Sequence, residues 1–265
     1  MAYQTQWTEA ELAFPGELRQ GAKGDGVKRV QEWICLMELP GVGKVKIDGD
    51  FGPATEHTVR AIQKWRLLPE TGKVDGDLWK VLVNPLQASL AMPTSSIEDF
   101  GSAVDQVSER YLGQHPMEVG GQNQGPWVRA FMDGHEGQAW AWCAGFAGFL
   151  LRHAKHLAND TTTNVGPRTF SCDVLAEDFR RRGRLIAQAK PADVKARVKA
   201  SDLFFVVSPT SPSDRTHVGV VLEVLGDGSV VRTIEGNTND EGSREGYEVC
   251  ERMRAVGKLD FALVR

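Results

Sequence analysis

An internal repeat near the start of the chain restricts the fold more than any other feature. Gly26-Val-Lys-Arg-Val30-Gln31-Glu-Trp33 recurs 32 residues later as Thr58-Val-Arg-Ala-Ile62-Gln63-Lys-Trp65, aligning Val27 with Val59, Gln31 with Gln63 and Trp33 with Trp65. Such duplication means that one supersecondary unit is used twice. In each copy the apolar residues (Val27, Val30, Ile34; Val59, Ile62, Trp65) fall at helical spacing, which makes each an amphipathic helix. Between the copies Asp48-Gly-Asp-Phe51-Gly52-Pro53-Ala54-Thr55 is a glycine-punctuated turn, with Pro53 near a helix start where its missing N–H is harmless. A third, short helix is expected over 75–82. All three should pack around Trp33, Phe51, Trp65, Leu68 and Trp79. Asp48 and Asp50 lack the spacing and terminal Glu of an EF-hand, so calcium is not indicated and no cofactor is expected.

Over residues 18–82 these motifs, together with Leu18-Arg-Gln-Gly21 and Thr71-Gly-Lys-Val-Asp75, resemble the small α-helical peptidoglycan-binding domain. The resemblance implies peptidoglycan as a partner. Nearly all the matching residues build the fold, so none is assigned to the ligand.

The second informative stretch is Trp140-Ala-Trp142-Cys143-Ala-Gly-Phe146, followed by Thr216-His217-Val-Gly-Val-Val221 and Ile234-Glu235-Gly-Asn237. An ordinary thiol has a pKa near ~8.5, and a helix N-terminus or a nearby imidazolium lowers it. Cys143 heads a run apolar nearly all round (Ala144, Phe146, Ala147, Phe149, Leu150, Leu151), hence a buried helix with its positive end at the sulfur. His217 opens a β-branched strand. Glu235 and Asn237 lie one residue apart on the next strand, so both are expected on one face, and either can orient the imidazole. Each residue alone is more often inert; three coinciding placements make a cysteine nucleophile site.

These segments and the strand Asp202-Leu-Phe-Phe-Val-Val207 resemble a CHAP domain of the NlpC/P60 and papain-like cysteine peptidase superfamily. The resemblance implies that Cys143 attacks an amide of peptidoglycan, that His217 acts as base and then acid, and that Glu235 and Asn237 orient His217. Trp142 stands where many CHAP domains have Gln, and Ser201 where glycine is usual. Besides the Cys143 N–H, Gln138 is the side-chain amide considered for the oxyanion. An N-acetylmuramoyl-L-alanine amidase and a stem or cross-bridge endopeptidase fit equally. The alternatives are an inactive peptidoglycan-binding module and a cysteine transpeptidase or deamidase.

The expected architecture is an α+β papain-like catalytic domain, helices packed on an antiparallel sheet, preceded by a small all-α three-helix domain. Residues 1–82 form the N-terminal tail and wall-binding domain, 83–96 a linker bounded by Pro85 and Pro93 with a cap at Ser95-Ser96, and 97–265 the catalytic domain. Helices are expected at 97–112, 125–133, 142–156 and 170–182. Strands follow at 202–208, 216–224, 229–235, 247–254 and 260–264. Cys35, Cys172 and Cys250 have no CxxC spacing, so neither zinc nor a disulfide framework is indicated, and His153 with His156 reads as a solvent-facing pair.

A formal charge of −4 gives no general polyanion-binding field, which argues against nucleic acid. No run is long and apolar enough for a membrane span, and residues 1–17 lack the pattern of a signal peptide. The expectation is synthesis in the cytoplasm and action on the wall after lysis or delivery, as for a phage endolysin or an antibacterial effector. An effector would add an immunity protein or a secretion machine to its partners.

Overall fold

The computed structural model describes residues 2–37, 39, 44–92, 96–239 and 246–265. The chain divides into two compact units: a helical unit of residues 4–89 and 117–137, and a sheet unit of residues 1–3, 90–116 and 138–265. The chain therefore crosses between the units more than once.

The helical unit contains α1 (Gln6–Leu12), α2 (Asp25–Leu36), α3 (Pro53–Trp65), α4 (Gly76–Leu90, whose last residue passes into the other unit) and α6 (Pro126–Phe131). The repeats are α2 and α3, each entered through a glycine, with Pro53 in the first turn of α3. Val27, Val30, Val59, Ile62, Phe51 and Trp79 are all buried. Trp33 and Trp65, equivalent in sequence, part company: Trp33 is 1% exposed and Trp65 53%. The expected core role of Trp65 is thus corrected. Trp127 of α6 packs edge-on against Trp33 at 6.0 Å, whereas the Trp65 ring carries the Arg66 guanidinium at 4.1 Å. Residue 33 is buried because a segment from 94 positions downstream covers it.

The linker expected over 83–96 is helical through Leu90, because Val83, Leu86 and Leu90 continue the buried face of α4 and Pro85 is accommodated inside it. Ser95 of the expected cap lies outside the described residues. Helix α5 (Phe100–Gln114) starts instead behind Asp99, which accepts from the Ser102 N–H at 2.8 Å in a capping box.

The sheet unit has α5, α7 (Cys143–Leu157), α8 (Cys172–Arg181) and α9 (Pro191–Arg197) around six antiparallel strands in the order β1-β6-β2-β3-β4-β5. These are β1 (Leu185–Ile186), β2 (Leu203–Val207), β3 (Arg215–Leu225), β4 (Val230–Thr238), β5 (Glu248–Ala255) and β6 (Leu259–Ala262). The α+β layout follows from the β-branched second half, where Val, Ile and Phe recur at strand spacing. One core cluster gathers Phe204, Val221, Val231 and Phe261 of the sheet with Ile186, Val194 of α9, Val256 and Leu259. Helix α7 packs on β3, β4 and α5, and α8 on β3. Between α9 and β2, Ser201 adopts a left-handed φ of 78°. The Asp202 carboxylate then accepts the Lys199 N–H at 2.8 Å and the Val264 N–H at 2.7 Å, which ties the chain end to the sheet.

Candidate active site

Cys143 is the first residue of α7, behind Trp142, whose side chain makes no cap hydrogen bond. The helix is buried along most of its length and has no side-chain cap, so the positive end of its dipole lies uncapped at Cys143. The Cys143 sulfur lies 3.7 Å from Cys172 Sγ, and the His217 ring and the Val218 backbone also act on it. These contacts, that to Cys172 the largest, hold its pKa well below the ordinary thiol value despite burial.

His217, near the start of β3, has Nε2 2.8 Å from Glu235 Oε2 on β4, leaving Nδ1 for the thiol. Glu235 is fully buried and every partner is accounted for: its Oε1 accepts from Thr233 Oγ1 at 2.6 Å and from Arg254 Nε at 2.8 Å, and its Oε2 also accepts from Arg254 Nη2. Burial alone would raise the Glu235 pKa, but Arg254 and His217 bring it down to about 2. Burial alone would lower the pKa of His217; its bonds to Cys143 and Glu235 raise it to about 9. The directions of these shifts favour thiolate, imidazolium, carboxylate and guanidinium, two charges of each sign. That balance is what allows them to be buried together.

Glycine makes room for this arrangement at two places. The pairing of Val220 with Ile234 brings Gly219 beside Glu235, and a Cβ on Gly219 would lie 2.8 Å from Glu235 Cγ. A Cβ on Gly236 would lie 2.7 Å from both Trp142 and Phe146, so the start of α7 approaches β4 this closely because residue 236 has no side chain.

Asn237 is close by but does a different task from the expected one. The register of β4 against β5 shifts between Glu235 and Thr238, and Asn237 adopts a left-handed φ of 54°, so the two-residue alternation that would put it on the face of Glu235 is broken. With the amide oriented to satisfy both neighbours, its oxygen accepts the Trp142 N–H at 3.2 Å and its nitrogen donates to the Gly246 carbonyl at 2.6 Å. It braces the residue before the thiol, while Glu235 alone of the two engages the imidazole. Gln138 is exposed in the turn before α7, unlike the buried Cys143, Glu235 and Asn237.

Cys172, Thr233 and Arg254 were not legible in sequence. The one available signal for Cys172 is that it follows Ser171, a helix-capping residue, and so heads a helix as Cys143 does. His153 corrects a further expectation: it is buried, its ring stacks on Tyr3 at 4.7 Å and its Nδ1 is 3.2 Å from the Tyr111 hydroxyl. Burial holds its pKa near 3, so it stays neutral. Among the described residues no group of three or more His, Cys, Asp or Glu is placed to hold a metal, and no helix is long and apolar enough to cross a membrane.

In the helical unit the two repeats use their equivalent glutamines alike. Gln31 Oε1 accepts from the N–H groups of Asp48 and Gly49 at 3.0 and 2.8 Å, while its Nε2 donates to the Asp50 carbonyl at 3.0 Å. Gln63 Oε1 accepts from the Gly72 N–H at 2.9 Å, and its Nε2 donates to the Lys73 carbonyl at 2.9 Å. One buried amide thus closes one loop in each copy.

Residues 23–82 match the family model described as "Putative peptidoglycan binding domain". The peptidoglycan-binding domain accounts for both repeats and both glutamine-braced loops, and makes peptidoglycan the ligand class, consistent with the cell wall. It spans under a quarter of the chain, ending inside α4 and short of α6. No curated protein matches the chain.

Proposed function

We propose that this chain is a cell-wall hydrolase that cleaves an amide bond of peptidoglycan through Cys143, with its peptidoglycan-binding domain holding it on the polymer. One observation carries the reading: the Cys143 thiol at a helix start interacts with the His217 imidazole, whose Nε2 lies 2.8 Å from the fully buried Glu235 carboxylate. The likeness of the Cys143, His217 and Glu235 motifs to CHAP domains, and of the α+β layout to papain-like peptidases, supports the same chemistry.

In the reaction the Cys143 thiolate attacks the amide carbonyl, and the helix-start N–H of Cys143 donates to the developing oxyanion. The His217 imidazolium gives its proton to the departing amine, leaving an acyl thioester. Neutral His217 then takes a proton from water, the resulting hydroxide attacks the acyl carbon, and the C–S bond breaks to release the acid and restore the Cys143 thiolate beside the His217 imidazolium. Glu235 stays ionised throughout and stabilises the imidazolium. Arg254 and Thr233 hold Glu235 in place, and Asn237 positions the chain at Trp142.

The test is digestion of purified peptidoglycan by wild type and by Cys143→Ala, with soluble fragments read by mass spectrometry. Wild type is expected to free amines and peptides, and the cut bond distinguishes amidase from endopeptidase. Equal release by both proteins, or new reducing sugar ends in place of amines, would overturn the reading. No release by either would leave a binding module.

A further inference from the structure

Cys143 and Cys172 each open a helix, α7 and α8, and the two helix starts bring their sulfurs to 3.7 Å with both thiols reduced. Cys172 forms and breaks no bond in the amide hydrolysis described above. We propose that Cys172 is the resolving partner of Cys143 in a reversible intramolecular disulfide, formed by hydrogen peroxide, that switches the site off. Its consequence for turnover rests on the hydrolase reading; its chemistry does not.

The sulfurs stand 3.7 Å apart and already in contact, and the bond requires them to close to about 2.05 Å. The pair is also unequal in the way a redox pair requires. Cys143 is the thiolate, held so by Cys172 and His217, while Cys172 is held protonated, first by its bond to Cys143 and then by burial. The thiolate is the form that attacks peroxide. Cys143 and Cys172 are 5% and 8% exposed, which favours a reagent as small as peroxide over a bulky disulfide.

The steps balance. The Cys143 thiolate attacks one peroxide oxygen, the O–O bond breaks, and sulfenic acid forms as hydroxide leaves and takes up a proton to become water. Cys143 is then uncharged, so the largest cause holding the proton on Cys172 is gone. Cys172 sulfur attacks Cys143 sulfur, the S–O bond breaks, and hydroxide leaves with the Cys172 proton as a second water. The thiols together lose two electrons and two protons, and peroxide is reduced to two waters. A dithiol reductant reverses the bond by exchange. While it lasts Cys143 carries no nucleophilic electron pair, so the enzyme works in a reducing medium and stops in an oxidising one.

The experiment uses the full chain, reduced and freed of reductant, then treated with a few equivalents of hydrogen peroxide. Remaining thiols are alkylated under denaturing conditions and mapped by mass spectrometry; peptidoglycan release is assayed before oxidation, after it, and after dithiothreitol. Wild type is expected to lose two hydrogen atoms in mass and to yield a crosslinked peptide joining Cys143 to Cys172. Release should fall about tenfold or more and return with dithiothreitol. Cys172→Ser, normalised to its own reduced activity, should give no such crosslink, gain two oxygens at Cys143 and fail to recover. Wild type that keeps both thiols alkylatable, or links Cys143 to Cys250 or to a second chain, overturns the proposal. If Cys172→Ser does not fold by circular dichroism, the wild-type peptide map decides alone. Because that map is scored without turnover, a crosslink in a chain that never releases peptide sinks the hydrolase reading only, and Cys143-dependent release without a crosslink sinks the switch only.

Discussion

In the helical unit Arg129 sits among three carboxylates: Nε is 2.7 Å from Glu11, Nη2 2.7 Å from Glu32 and Nη1 2.8 Å from Glu136. In the sheet unit Glu235 sits among Thr233, His217 and Arg254 at similar distances. Both clusters are centred on buried carboxylates, both collect charge from distant parts of the chain, and in both one group satisfies several partners. They differ in what the partners can do. Every partner of Arg129 in this cluster is a carboxylate, and Arg129 itself only becomes harder to deprotonate there, so the cluster pairs charge and contains neither a thiol nor an imidazole. The Glu235 cluster ends in an imidazole that also touches a thiol. Burial and ion pairing are therefore shared by a brace and a candidate reaction centre. The titratable group at the open end separates them.

The comparison can be broken by removing one member at a time. The largest effect is expected for Cys143→Ala, a loss of peptide release on the order of 10⁴-fold, with sedimentation onto insoluble peptidoglycan unchanged; release retained within a few-fold would put the chemistry elsewhere. Next is Arg129→Ala, which strands the buried carboxylates of Glu11 and Glu32 and should cost about 3–5 kcal/mol in denaturant unfolding. Release per folded molecule should stay the same. A fall in turnover without a fall in stability would make the two clusters alike after all.

Glu235→Gln sharpens the contrast by lowering release about 10²-fold and moving the pH dependence. The wild-type pKa of about 9 for His217 sets an alkaline limb near that pH, where the imidazolium is lost. Without the carboxylate that limb should move to lower pH, and an unmoved profile would separate Glu235 from His217. For stability the signs run opposite. The raised His217 contributes stability fully below its ordinary value of 6.5 and loses it as pH rises through about 9. The lowered Glu235 contributes above its ordinary 4.5 and loses it as pH falls through about 2. Thermal midpoints of wild type should therefore decline at both ends, and the alkaline decline should be smaller in Glu235→Gln. The smallest effects are expected from Gln31→Ala and Gln63→Ala, each about 1–3 kcal/mol for the loop groups left without a partner. Gln31 should cost more, since it closes its loop through two N–H groups where Gln63 holds one. Equal costs would mean that the loops are held by something else.

The two regions also differ in how far they could be read in advance. The repeat helices were legible because their contacts are local: residues three and four apart share a face, and Val27, Val30, Val59 and Ile62 are buried as that spacing requires. The helices headed by Cys143 and Cys172 and all five long strands were legible for the same reason. So was the coming together of Cys143, His217 and Glu235, because each stands at a helix or strand position that its own neighbours in sequence define. Asn237 was misplaced by a bulge, since alternation holds only while the register does. Trp65 was misplaced because repetition copies a helix but not what lies against it.

What the sequence determined by itself was the periodic part: which residues share a face, where helices and strands run, and which chemical groups stand at their ends. Only the tertiary structure decided what is brought against those faces. It set Trp127 over Trp33 but nothing comparable over Trp65, gathered Glu11, Glu32 and Glu136 on Arg129, and put Arg254 under Glu235 and Cys172 against Cys143. The physical reason is that backbone periodicity is set by neighbours a few bonds apart. A partner tens of residues away is selected by packing and charge compensation over the whole unit, and leaves no local pattern behind.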